Sequence, residues 1–184
     1  MSIDSNDIEL ALPIWSEADL AFMRQAFRQA ELAYDAGEVP IGCVIVQEGR
    51  IVGRGHNQVE QLHDPTAHAE ILAITAACET LENWRLENCT LYITLEPCPM
   101  CAGAILNARV ARIVYAVPDQ RFGACGTRTN VIEGNALNRA VLVQGGLQAQ
   151  DSLELIRQFF QEMRARKGDS GTKTTPSANT NDTV

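Results

Sequence analysis

Apolar residues recur along this chain first at helical spacing, then in short β-like runs, and from there in alternation. Leu20, Phe27, Ala30 and Tyr34 share one helical face, with Ser16 and Asp19 as N-cap and first-turn carboxylate before them and Gly37 as a stop. Residues 41–46 and 51–55 are two apolar runs separated around Gly49, which predicts a β-hairpin. A helical pattern over 66–82 leads into Thr90-Leu91-Tyr92-Ile93-Thr94-Leu95, whose β-branched and aromatic residues predict a strand. A helix over 98–108, a strand over 112–117, a weaker strand over 140–143 and a last helix from 152 to about 166 follow. A hairpin followed by alternating helices and strands predicts an α/β fold, with a mixed sheet of about five strands and helices on both faces.

The 184 residues, 46% of them hydrophobic, suffice for one domain with a sizeable core, and we place it at 14–167. Residues 1–13 and 168–184 are expected to lack fixed structure; the second stretch is rich in Thr, Asn, Ser and Gly. The first carries Asp4, Asp7 and Glu9 without a basic residue, which fits neither a secretory leader nor an Arg-rich transit peptide. No apolar run approaches the length of a membrane span, so no membrane partner is expected. Six cysteines in a chain of this length point to a reducing, cytoplasmic setting. Of these, Cys43, Cys78, Cys89 and Cys125 sit in apolar contexts and read as small core residues.

The candidate chemistry lies in Leu95-Glu96-Pro97-Cys98-Pro99-Met100-Cys101-Ala102-Gly103. Cys98 and Cys101 stand at an expected helix start, at a spacing that puts both sulfurs on one face, and Pro99 suits the first helical position. A helix N-terminus favours negative charge, which predicts thiolates at both positions. Such a pair can hold a metal or run redox chemistry. Earlier, His68 and Glu70 open a helical pattern in Asp64-Pro65-Thr66-Ala67-His68-Ala69-Glu70-Ile71-Leu72. At the very start of a helix both side chains can reach past its end. His68, Cys98 and Cys101 make three protein ligands with one tetrahedral position left for water, as in catalytic zinc sites. A closed structural site would need a fourth ligand, with His56, His63 or another cysteine as candidates. In the catalytic reading one Zn2+ per chain lowers the pKa of water to about 7. Glu70 then carries protons to a ring nitrogen and to a departing amine.

His-x-Glu followed by Pro-Cys-x-x-Cys is the signature of zinc nucleobase deaminases. Over 15–167 the chain resembles the bacterial tRNA-adenosine deaminase family, which converts the wobble adenosine of an anticodon to inosine. The resemblance rests on Gly37-Glu38-Val39-Pro40-Ile41-Gly42, on 64–71, on 94–105, and on Asp119-Gln120-Arg121-Phe122-Gly123-Ala124-Cys125-Gly126. It implies a three-layer α/β/α cytidine-deaminase-like fold, zinc on His68, Cys98 and Cys101, Glu70 as proton shuttle, a tRNA anticodon stem-loop as partner, and a homodimer. It further implies that Asn57 hydrogen-bonds the target base and that Val39 and Ala69 shape the base pocket. Asp119 and Arg121 would contact RNA beside the flipped nucleotide, and Phe160 and Arg164 fall in a C-terminal helix, another RNA-contacting part.

Without the resemblance, Asn57 and Asp119 read as turn residues and Phe160 as core. Pro99 and Met100 are equally at home in guanine deaminases of the same fold. A free nucleobase or nucleoside therefore stays open as the alternative substrate, and a zinc or thiol binding module without turnover as a third reading. Around Leu137-Asn138-Arg139 the family often carries Asn-His-Arg; the His is absent here, which bears on one RNA contact and not on the chemistry.

A net charge of −8 does not suggest a nucleic-acid binder, but the charge is uneven. Residues 1–100 carry 16 acidic and 5 basic side chains, whereas 101–184 carry 7 acidic and 10 basic ones. Arg121, Arg128, Arg139, Arg157, Arg164 and Arg166 fall in the half that the resemblance assigns to RNA. Such asymmetry is compatible with a local phosphate-binding face and equally with a solvated surface.

Overall fold

The computed structural model of the chain describes residues 15–135, 137 and 140–169. The expectations for 1–13 and for the tail beyond Asp169, and the family comparison at Asn138 and Arg139, lie outside them. Ser16 caps α1 (Glu17–Asp35) reciprocally: its hydroxyl accepts from the Asp19 N–H, and the Asp19 carboxylate accepts from the Ser16 backbone N–H. The hairpin is β1 (Gly42–Gln47) and β2 (Arg50–His56). β1 also pairs antiparallel with β3 (Thr90–Leu95), beyond which β4 (Arg112–Val117) and β5 (Leu142–Gly145) run parallel. The five-stranded sheet is thus mixed, in the order β2-β1-β3-β4-β5.

Side chains alternate along each strand, so consecutive residues serve two different cores. Cys43, Ile45, Leu91, Ile93 and Ile113 pack with α3 (Ala69–Thr80) and α4 (Pro99–Asn107). Val44, Val46, Tyr92, Val114 and Ala116 pack with Met23 and Ala26 of α1 on the other face. A last helix, α5 (Ala149–Asp169), lies against β4 and β3. The result is three layers. None of the helices among the described residues is long and apolar enough to cross a membrane.

Two glycines let the hairpin approach α3 closely. At Gly53 and Gly55 of β2 an added Cβ would run into the backbone of Ala73, Ala77 and Ala69. Those three alanines share one helical face and are fully buried. The N-terminus of α3 is thereby drawn up to the end of β2, beside His56 and Asn57.

Some boundaries differ from expectation for local reasons. α3 begins at Ala69 and not at 66, because the Asp64 carboxylate accepts from the Thr66 N–H at 2.8 Å and its hydroxyl at 2.7 Å. That side-chain turn competes with the helix. The short helix Val59–Leu62 between β2 and α3 is not foreseen by the apolar pattern. β5 starts at Leu142, whose N–H bonds to the Ala111 carbonyl, and the last helix runs from Ala149 to Asp169.

A polar clamp joins α1 to the sheet beneath it. The Asp19 carboxylate accepts from the Tyr92 hydroxyl at 2.8 Å and from Arg112 Nη1 at 2.7 Å. Burial alone would raise its pKa, but the bonds from Arg112, Ser16 and Tyr92 outweigh it and hold the carboxyl well below the usual range. Asp19→Asn should therefore cost about 2 kcal/mol at pH 7. That deficit should shrink below the ordinary aspartate value of 3.8, where the unfolded chain takes up a proton that the folded one still refuses. Urea unfolding of both proteins at neutral and acidic pH checks the sign.

Candidate active site

His68 stands at the N-cap of α3 and Cys98 at the N-cap of α4, with Pro99 and Cys101 in the first turn of α4. Both sulfurs approach the same imidazole nitrogen: Cys98 Sγ lies 3.7 Å and Cys101 Sγ 3.6 Å from His68 Nδ1. The three donor atoms lie within 4.8 Å of one another, and no other His, Cys, Asp or Glu among the described residues joins them. His56, His63 and the remaining cysteines therefore supply no fourth ligand. Bonds of about 2.3 Å to sulfur and 2.0–2.1 Å to nitrogen would leave S and N about 3.6 Å apart across a tetrahedron. The donor set fits zinc by chemistry and by spacing.

The protein alone charges only one of the two sulfurs. Hydrogen bonds from Cys101 and His68 outweigh burial and pull Cys98 down to about 4. Donating that bond, together with burial, pushes the Cys101 thiol up. Two thiolates this close need a cation between them, and metal binding releases the shared proton.

Glu70 sits in the first turn of α3 and is only 4% exposed. Burial, reinforced by the charge of Cys98, raises its carboxyl to about 7. A cavity of about 340 Å³ opens over this centre. Its wall includes His68, Glu70 and Cys98 together with Val39, Asn57, Asp119, Arg121 and Phe160. Phe160, at 40% exposed, is not a core residue. Two sequence candidates stand apart. Ala69 is fully buried against β2 at Gly55, and Arg164 lines a neighbouring cleft that shares Val39 and Phe160 with the cavity.

Several residues at the site carry no recognisable signal in the sequence. Ile41, Leu95, Phe122 and Ile156 complete the apolar wall. Glu38 is buried, accepting from Asn57 Nδ2 at 3.0 Å and from the Gln61 N–H at 2.7 Å. It lies in the Gly37–Gly42 block, but a carboxylate beside Val39 and Pro40 reads as surface until its partners are seen. Glu96 is buried next to the cysteine motif and bonds only to backbone amides of a later loop, which no side-chain spacing reveals.

The pattern of the cytidine and deoxycytidylate deaminase zinc-binding region matches residues 16–117. A tRNA-specific adenosine deaminase of Streptococcus pyogenes is 40% identical over 159 residues, covering 86% of this chain and 100% of its own length. A structure solved in work on A-to-I editing by tRNA:A34 deaminases at the wobble position superposes with a TM-score of 0.71. It is 41% identical, over 73% of this chain and 98% of that one. A guanine deaminase of Bacillus subtilis superposes with a TM-score of 0.53 at 36% identity, over 79% of this chain and 92% of that one. Sequence pattern, fold and donor set agree, and this chain belongs to the cytidine and deoxycytidylate deaminase family.

Proposed function

We propose that this chain converts the wobble adenosine of a tRNA anticodon loop to inosine by hydrolytic deamination. One observation carries the reading: a His-Cys-Cys donor set and a buried Glu70 meet under one cavity that Asn57 also lines. The full-length likeness to tRNA-specific adenosine deaminases supports the choice of substrate. His68, Cys98 and Cys101 hold one zinc ion per chain, which when bound makes water acidic enough to serve as nucleophile at neutral pH.

The rest falls to the protein. Glu70 takes a proton from the attacking water and passes it to the purine ring nitrogen; it then takes the hydroxyl proton of the tetrahedral carbon and gives it to the amine, which leaves as ammonia as the C–N bond breaks. Burial raises the Glu70 carboxyl toward neutrality, which suits a group that must both accept and return a proton. Asn57 gives one amide hydrogen to Glu38, leaving its carbonyl oxygen and second hydrogen for the base edge. Val39 and Phe160 supply apolar wall, while Asp119 and Arg121 contact RNA beside the target and Arg164 reaches a phosphate from the adjoining cleft. A loop nucleotide is already partly unstacked, so extruding its base costs least there. The enzyme works in the cytoplasm, where its tRNA is, as a homodimer.

The metal assignment has a direct check. Elemental analysis should find about one zinc per chain, and Cys101→Ala should lose both metal and activity. Full zinc occupancy in that variant would refute the ligand set. Glu70→Gln keeps the shape but cannot carry a proton, so turnover should fall at least ~100-fold with zinc retained. Loss of zinc along with the carboxylate would make Glu70 a ligand.

The substrate is tested with an anticodon stem-loop whose wobble base is adenosine. Inosine should form, and at subsaturating RNA the rate should fall as salt rises, because Arg121 and Arg164 neutralise phosphates. Asn57→Ala should impair turnover far more than either arginine change, since it removes a base contact. The likeness to a guanine deaminase supports one competing reading, a free-base deaminase. Salt-insensitive deamination of guanine with no inosine in RNA would establish that reading in place of ours.

A further inference from the structure

Glu96, a carboxylate at 2% exposure in the wall of the same cavity, takes no part in the proton transfers described above. It lies between the end of β3 and the turn that carries Cys98. Its Oε2 accepts from the Asp119 N–H at 3.1 Å, and its Oε1 accepts from the Cys125 N–H at 3.0 Å and the Thr127 N–H at 3.1 Å. Those amides stand at the two ends of the loop 119–127. Between them the loop brings Asp119, Arg121 and Phe122 to the cavity. A further bond runs from the Ala124 N–H to the Pro97 carbonyl at 2.9 Å. At Gly123 an added Cβ would meet the Glu96 carboxylate and the Asp119 carbonyl, so the loop backbone rests directly on this side chain.

Within the part of the loop that faces the cavity the bonds are local: the Arg121 N–H donates to the Asp119 carboxylate at 2.8 Å and the Gly123 N–H to the Asp119 carbonyl at 3.0 Å. Phe122 is 57% exposed, and the Arg121 guanidinium lies over its ring at 5.1 Å from the centre. Apolar burial anchors the far half of the loop at Ala124 and Cys125, whereas the half nearer Asp119 presents an aromatic ring and a cation to solvent. There backbone tethers stand in its place. The tether demands a carboxylate in particular. Glutamate accepts on both oxygens, whereas glutamine offers one acceptor and turns a donor toward the remaining amide.

We propose that Glu96 is a positioning residue for RNA binding, holding the loop 119–127 in register with the turn that bears Cys98 and Cys101. The proposal rests on the reading of Asp119 and Arg121 as RNA contacts. The geometry of substrate recognition is then tied to the metal-bearing turn through this side chain, beside the Ala124–Pro97 backbone bond and the buried Ala124 and Cys125.

Glu96→Gln and Gly123→Ala attack the tether from its two sides. Each should raise KM for the anticodon stem-loop by ~10-fold or more, with kcat within ~3-fold of the unaltered enzyme and zinc content unchanged. Hydrogen exchange should quicken over 119–127 and nowhere else. Because both changes break one contact, the double variant should be no worse than the more affected single one. Unchanged KM in both variants would overturn the proposal, as would zinc lost in step with KM or effects that simply add. If Glu96→Gln does not fold, Gly123→Ala carries the same comparison. If the unaltered enzyme makes no inosine, the tRNA reading falls; quicker exchange in the variants would still support the tether, and unaltered exchange would overturn it.

Discussion

One imidazole nitrogen and two sulfurs must reach a common point, and much of this architecture is arranged to bring them there. A helix start is the natural place, since its unpaired N–H groups and dipole favour negative sulfur. Two helix starts have to lie side by side, so α3 and α4 occupy the same face of the sheet, and β3 delivers Cys98 from its end. The opposite face is then free for α1, with Asp19, Tyr92 and Arg112 binding that layer to the strands. Alternation along β1, β3 and β4 lets one set of strands serve both sides.

The elements were legible where periodicity and termination signals coincide. Ser16 with Asp19 marks α1, and Gly49 marks the hairpin, because each acts on its immediate neighbours. The candidate donor set was legible for a related reason: His68, Cys98 and Cys101 are rare donor types at helix starts, and the structure brings their donor atoms within 4.8 Å of one another. Glu70 stands out in the sequence only by its place beside His68. Its raised pKa comes from burial, which depends on how α3 packs and is not written in any short stretch.

Where the reading stopped, the missing information was long-range. Glu38 meets Asn57, and Glu96 meets Asp119, Cys125 and Thr127, across separations that no motif spans. A buried glutamate looks like a surface one until its amide partners are known. Ala69, which the resemblance puts where the family builds its base pocket, is fully buried, with its backbone carbonyl against Gly55 of the hairpin. Arg164, which the resemblance puts in an RNA-contacting C-terminal helix, lines the cleft beside the cavity.

Ala69 nevertheless has a consequence for how the centre keeps its geometry. It is the residue between His68 and Glu70, and the backbone at that point fills the space that Gly55 leaves open. His68 and Glu70 thus flank one peptide unit seated against the hairpin. A shift of β2 at Gly55 would displace the imidazole and the carboxylate together and in the same sense, so the spacing between them is insulated from distortions of the sheet edge.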